Sequence, residues 1–376
     1  MIIAIDISML VYAGSGVARY TFDLSTALLQ YHPENTYKLF YSSRRRPPET
    51  VKMLELLRSL GAKVYDYHFP PWILKFWWNK HCVMPISWFI GKYDVFHSSD
   101  FLRPPLLHHS LGLTTIHDLT WKLFPELHEA TTCAAHTRKL ARTIHAKDLI
   151  ITDSENTKTD LLKSFSAVDR SLVTVIPLAI SDRFHSESSE TSTAALRKYE
   201  VPNQPYILYV GAIEPRKRLD LCVQVFAELI LDLQYENFNF IIAGRAGWKN
   251  EQLFSLIKSK KLENRVRFIG YVSDEDLPSI YSGASASLYL SAYEGFGLPP
   301  LESLACGTPV LASNTSSIRE FVPEQYRVDS TDPVELAAKL KIIMHLPVSA
   351  VAKRISPFTW KDYCNSFLEL LHRTAQ

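Results

Sequence analysis

The nonapeptide Glu294-Gly-Phe-Gly-Leu-Pro-Pro-Leu-Glu302 places two glutamates eight positions apart around a glycine-rich, proline-stopped turn. The apolar run Ser-Leu-Ala-Cys-Gly-Thr-Pro-Val-Leu-Ala follows it, and residues 284–290 before it have the composition of a short buried strand. The segment therefore reads strand, loop, helix. Gly295 and Gly297 let the backbone approach a ligand closely, and Pro299 and Pro300 suit a helix's first turn, where no N–H is needed. The amides of Gly295, Phe296, Gly297 and Leu298 then point outward with the positive end of the helix dipole behind them. That suits a phosphate or a sugar hydroxyl. Glu302, expected in the first turn, is suited to accept two hydrogen bonds from a ribose diol, and Glu294 to do the same for a second sugar. The plainer reading is a helix start with dipole-favouring acids, which requires neither both glycines nor both glutamates.

Outward from this segment, short apolar runs alternate with helical patterns along the whole chain. One series covers residues 1–7, 37–41, 64–67, 95–97, 112–116, 149–152 and 173–176, and a second covers 206–210, 238–243, 266–269, 285–289 and 309–312. Runs this short and apolar, separated by helices, predict parallel sheets covered on both faces. Two series in 376 residues predict an α/β chain of two Rossmann-like, doubly wound domains, 1–190 and 200–357. The seam is expected in the Ser-, Glu- and Thr-rich stretch 181–203, and a last helix from about residue 358 after a turn at Pro357.

Composition narrows the function. Hydrophobic content of 47%, charged content of 21% and a net charge of +2 describe an ordinary globular chain and give no electrostatic footprint for nucleic acid. The five cysteines are scattered without metal-ligand spacing and are expected to be reduced core thiols of a cytoplasmic protein. The N-terminus reads as a strand rather than a signal peptide, and no apolar run is long enough to cross a bilayer.

The Glu-x7-Glu spacing resembles the signature of retaining glycosyltransferases of family 4. The resemblance spans nearly the whole chain and is most specific over residues 210–309. It implies the GT-B fold, two Rossmann-like domains facing across a cleft, with the C-terminal helix 358–376 returning to the first domain. A second stretch, Tyr209-Val-Gly-Ala-Ile-Glu-Pro-Arg-Lys-Arg-Leu-Asp220, sets three cations at a strand-to-helix turn. Their mutual repulsion would be relieved by an anion, and fixed cations favour a leaving diphosphate. It resembles the Glu-Pro-Arg-Lys segment of that family, which implies Arg216 and Lys217 on the diphosphate. Many relatives carry Arg where this chain has Ala212, and Arg218 is a candidate replacement. A solvated cationic turn is the alternative.

In the first domain, Ala13-Gly-Ser-Gly-Val-Ala-Arg-Tyr20 follows the first strand without completing GxGxxG. Gly16 is the site candidate there; a turn needing positive φ is the other reading. His117 and Asp118 end a buried strand at the edge where open α/β sheets bind ligands. The resemblance implies His117 against the donor hexose, while the segment 96–100 at the same edge is a candidate for the acceptor. Arg245 is a candidate nucleotide or acceptor contact, and residues 268–274 resemble the family's loop that holds the base, which implies Val272 as a backbone partner for it. Asp274-Glu-Asp276 follows Ser273, an expected N-cap, so the acids are read as first-turn residues and no catalytic metal or cofactor is expected. Residues 72–80 mix three tryptophans with two lysines, and 44–46 are three arginines. They suit either packing or a membrane interface at the inner leaflet.

The resulting expectation is a metal-independent retaining hexosyltransferase, with Glu294, His117, Arg216 and Lys217 at the reaction centre. Its donor is expected to be UDP-glucose, with GDP-mannose as the alternative. The acceptor is a glycan or lipid-linked saccharide of a cell-surface polysaccharide. A catalytically inactive sugar-nucleotide-binding scaffold and a GT-B epimerase are the competing readings.

Overall fold

A computed structural model describes residues 1–12, 14–98, 101–245, 251–346 and 358–374. The sequence readings at Asp100, Gly247 and Pro357 lie outside the described residues. The chain divides into Met1–Ala179 with Phe358–Gln376, and Ile180–Pro357.

The first unit holds seven strands: β1 (Ile2–Asp6), β2 (Thr36–Ser42), β3 (Lys63–Tyr67), β4 (Val95–Ser98), β5 (Leu111–Ile116), β6 (Leu149–Thr152) and β7 (Val173–Val175). They pair in parallel in the order β3-β2-β1-β4-β5-β6-β7. The second unit holds β8 (Tyr206–Val210), β9 (Asn239–Ala243), β10 (Val266–Gly270), β11 (Ala286–Tyr289), β12 (Val310–Ser313) and β13 (Arg327–Val328). Their order is β10-β9-β8-β11-β12-β13, again parallel. Strands β4, β6, β11 and β12 are buried at every residue, which is why their sequences are apolar runs rather than alternations. In both sheets the winding reverses beside the first strand, between β1 and β4 and between β8 and β11. The carboxyl ends at those two places are where such sheets bind ligands.

The expected seam shifts. Residues 181–203 belong to the second unit, because Phe184, Ala195 and Val201 pack into its core with Tyr206, Leu208 and Tyr281. The helix Ser189–Lys198 lies inside the stretch expected to be linker, and the first domain ends at Ala179 rather than near 190.

The C-terminal helix Trp360–Thr374 packs on the first unit. Tyr363, Phe367 and Leu371 recur one turn apart and are fully buried. The Tyr363 hydroxyl lies 2.9 Å from that of Tyr20, and Asn365 Oδ1 is 3.0 Å from His32 Nε2. Of the five cysteines, Cys222, Cys306 and Cys364 are buried, whereas Cys82 is exposed and Cys133 half-buried, so not all are core thiols. Among the described residues no helix is long and apolar enough to cross a membrane.

Candidate active site

At the carboxyl edge of the second sheet, a short 3₁₀ turn Pro215–Lys217 follows β8 and the loop 290–297 follows β11. Each loop delivers half of a buried ionic cluster. Lys217 Nζ donates to Glu294 Oε1 at 2.6 Å and to the Tyr289 hydroxyl at 2.7 Å. The Tyr289 hydroxyl donates in turn to Glu294 Oε1 at 3.0 Å. The Arg216 fork donates to Glu294 Oε2 (3.2 Å), the Tyr293 carbonyl (3.1 Å) and Glu214 Oε2 (2.9 Å). Glu294 is itself fixed by its backbone, its N–H on Ser316 Oγ and its carbonyl on Ser317 Oγ.

Burial alone would raise the Glu294 carboxyl, but Lys217 and Arg216 outweigh it and hold the group at about 2. Burial and Glu294 push the Tyr289 hydroxyl well above its ordinary range, so it stays a donor. This alters one expectation. The charges of Arg216 and Lys217 are met by Glu294 and Glu214, so a ligand is not needed to offset those two cations. Arg218 takes a left-handed φ of 48° before the helix Leu219–Leu229.

The helix expected after Gly297 runs Leu298–Ala305, and Gly297 precedes it with φ 94°. A Cβ at Gly297 would also press on Ile318 Cδ1 at 3.1 Å, but it is the left-handed conformation that calls for glycine. Leu298 is the first helical residue, and Phe296 packs on Phe321 with ring centroids 4.2 Å apart. Glu302 departs from the sequence reading. It lies in the second turn, 1% exposed, with the Tyr281 hydroxyl donating to Oε2 at 3.1 Å. A carboxylate this buried is held in place by its neighbours rather than by the helix dipole.

Beside β8, Gly244 closes β9 so tightly that an added Cβ would lie 1.9 Å from the Gly211 carbonyl oxygen. Next to it, the exposed Arg245 guanidinium lies over the Tyr271 ring, 5.0 Å from its centroid. The Val272 side chain belongs to the core with Leu277 and Ile280. The acidic triplet forms a turn ahead of the helix Leu277–Ser282 rather than its first turn. Ser273 Oγ still receives the Asp276 N–H at 3.3 Å. Asp274 faces Arg183, and Asp276 faces Lys198, Tyr199 and Ser273, so these carboxylates point to different partners.

At the edge of the first sheet, Ser15 caps the helix Gly16–Tyr31 and Gly16 is its first residue. The left-handed turn falls on Gly14 instead, with φ 84°, and nothing lies within 4 Å of a Cβ built on Gly16. Positive φ is therefore not the reason for Gly16. His117 Nδ1–H donates to Asp153 Oδ2 at 2.6 Å, and the Tyr20 ring meets the imidazole edge-on at 4.6 Å. The Tyr20 hydroxyl is 3.0 Å from Thr115 Oγ1 and 2.9 Å from Tyr363, so the C-terminal helix is tied to the seat of His117.

Two first-unit readings change. Asp118 Oδ1 accepts from the Thr120 N–H (2.9 Å) and hydroxyl (2.7 Å), making it a local turn cap before it is anything else. His97, from the segment read as an acceptor contact, is fully buried between Thr115 and Phe367, and burial drives its pKa down to about 3. It is a neutral core residue. Sequence reasoning passed over Asp153, Tyr289, Glu214 and Tyr281. Asp153 and Tyr289 sit at the carboxyl ends of β6 and β11, the criterion that had already singled out His117.

Known proteins resemble this chain in sequence and in fold. Residues 192–357 match the model described as glycosyl transferases group 1. The chain is 32% identical over 251 residues to the O-antigen chain mannosyltransferase B of Escherichia coli, covering 66% of this chain and 65% of that protein. It is 27% identical over 273 residues to a D-inositol 3-phosphate glycosyltransferase of Salinispora tropica, covering 66% and 56%. The chain thus spans just under two thirds of the length of the first relative and little more than half of the second. Among solved structures, Anabaena HepE in complex with UDP and glucose superposes with TM-score 0.70 at 17% identity, over 99% of both chains. Sucrose-phosphate synthase of Thermosynechococcus elongatus does so with TM-score 0.73 at 18% identity, over 100% and 99%. Likeness at these identities speaks to the fold, which is that of the GT-B glycosyltransferases. The stretch that matches the glycosyl transferases group 1 model, residues 192–357, carries the Lys217–Glu294 cluster.

Proposed function

We propose that the chain is a retaining hexosyltransferase that takes its sugar from a nucleoside diphosphate and extends a cell-surface polysaccharide. The observation that carries the reading is the buried Lys217–Arg216–Glu294–Tyr289 cluster at the switch point of the second sheet. Two cations held there by a carboxylate are poised for the charge that grows on a departing diphosphate. In the reaction, the acceptor hydroxyl oxygen bonds to the anomeric carbon as the bond from that carbon to the phosphate oxygen breaks. The phosphate keeps the electron pair and takes the acceptor's proton on the same face, and no metal is required. Glu302, oriented by Tyr281, is assigned to the ribose diol, and Gly295–Leu298 amides to the donor. Arg245 and Val272 are assigned to the nucleotide, and open space at Gly16 to the substrate.

GDP-mannose is the first donor to test, because the chain is 32% identical over 251 residues to a protein described as O-antigen chain mannosyltransferase B. UDP-glucose is the second reading. Thermal-shift measurement against both, followed by turnover with the stabilising one, decides between them: a ligand at 100 times its dissociation constant adds about 2.7 kcal/mol. Absence of any shift or transfer with either class of donor would favour an inactive scaffold.

In the first unit, His117 is assigned to a hydroxyl of the transferred hexose, with Asp153 as its positioning residue. Burial raises the Asp153 carboxyl and His117 beside it works in the opposite direction; in its ionised form Asp153 favours positive character at the anomeric carbon. Asp153→Asn removes that charge and leaves the Nδ1–H only a neutral amide oxygen as acceptor. A charge-assisted hydrogen bond is worth roughly 1.5–3 kcal/mol, so kcat should fall roughly 10- to 150-fold with a smaller change in KM. A variant kcat equal to the wild type's from about pH 5 to 8, the range over which an imidazole titrates, would make the pair purely structural.

A further inference from the structure

Between Pro71 and Lys92 the first unit carries three lysines and no acidic residue, a local charge the near-neutral composition conceals. The segment forms the helix Pro71–Leu74, continued as a π-helix Lys75–Lys80, and the short helix Ser87–Ile90. Both bury one face in the same cluster: Leu74 and Trp78 from the first, Ile86 and Ile90 from the second, against Phe40 and Phe96. Packing accounts for Trp78, which is fully buried with its indole N–H on the Met84 carbonyl, and for the half-buried Trp77 against Phe69. It does not account for Trp72, 67% exposed, Trp88, 71% exposed, or Phe76, 46% exposed. Trp72 and Phe76 are one turn apart and so share a side of their helix. The Lys80 ammonium lies 5.6 Å from the centroid of the Phe76 ring, and the His81 ring 4.3 Å.

We infer that this surface seats the first unit on an anionic lipid bilayer. Trp72, Phe76 and Trp88 enter the headgroup region, while Lys75, Lys80 and Lys92 face the phosphates. Exposed indoles beside lysines, with no carboxylate in the segment, match an interface that is apolar at depth and negative at its surface. Arg46 adds little: its guanidinium is held by Asp66 at 2.6 Å and by the Tyr67 carbonyl at 3.0 Å. Arg44 and Arg45 are exposed on the same loop, which Arg46 ties to the end of β3 beside the aromatic cluster.

The test is sedimentation of the full chain with vesicles of phosphatidylcholine alone, or mixed with phosphatidylglycerol, at low and high salt. Binding to the anionic vesicles is expected at low salt and weakened at high salt, since screening shortens the reach of the lysines. Each lysine near the surface contributes about fivefold, so Lys75→Gln with Lys80→Gln should lower partitioning about 25-fold. Trp72→Ser with Phe76→Ser and Trp88→Ser should abolish it while leaving the melting temperature unchanged, because these side chains are exposed. The lysine pair serves as the deciding variant should the triple one fold poorly. Failure of the wild type to sediment at low salt would overturn the proposal, as would a folded variant that sediments like the wild type. Self-association that the triple substitution disperses, without vesicle binding, would assign the surface to a second copy of the chain instead.

Discussion

Glu294→Gln is expected to destabilise the second unit by about 3–5 kcal/mol, the cost of leaving buried charge uncompensated. The amide keeps the shape of the side chain and removes its charge. Lys217, 7% exposed, then has only neutral acceptors, the amide oxygen and the Tyr289 hydroxyl at 2.7 Å, whereas Arg216 keeps the charge of Glu214. The same linkage predicts the acid response. The Glu294 carboxyl titrates at about 2 in the folded chain against 4.5 as the ordinary value. A group depressed on folding stabilises the fold above its unfolded value and loses that stabilisation as pH falls through the folded one. Wild-type stability from this site is therefore complete above about pH 4.5 and declines toward pH 2, by about 3 kcal/mol in all. In Glu294→Gln this part of the acid dependence should vanish. Urea unfolding of both proteins at neutral and acid pH measures it. Equal stability with the acid dependence intact would remove Glu294 as the counter-charge of the two cations.

Why some of this was legible and some was not follows from the distances involved. Strands β4, β6, β8, β11 and β12 are short runs buried on both faces, and such runs carry their own signature. β13, Arg327–Val328, is two half-buried residues and has none. The seam was misplaced because helix Ser189–Lys198 is polar on its outer side, and only its tertiary contacts reveal its unit. The same limit applied within the site. Arg216, Lys217 and Glu294 were each legible from local turn chemistry, yet their pairing spans 77 and 78 residues and depends on β8 lying beside β11. Asp153 is 36 residues from His117 and meets it only because β5 and β6 are neighbours in register. Glu302 was read one turn early, since nothing local shows whether Gly297 or Pro299 begins the helix.

Lys217→Met should lower turnover roughly 100- to 1000-fold while changing affinity for the free nucleoside diphosphate far less, because the charge it meets grows in the transition state. The ammonium is held by Glu294 and the Tyr289 hydroxyl within 2.7 Å of each, so its position is set before any ligand arrives. Preorganisation of this kind lowers the barrier without a reorganisation cost during the reaction. Lys217→Met also strands Glu294, and local collapse would itself lower activity; Lys217→Met with Glu294→Leu separates the two effects. Removing both members of a buried pair is often neutral for stability, so the double variant should unfold near the wild type. It should nevertheless remain as slow as the single one. Arg216→Lys is the companion measurement, since an ammonium cannot reproduce a fork that reaches Glu294, Glu214 and the Tyr293 carbonyl together. Calorimetry with the nucleoside diphosphate and kcat at saturating donor give the two halves of the comparison. A double variant that is stable and turns over at the wild-type rate would show that Lys217 serves the fold alone, and the diphosphate would then need another cation.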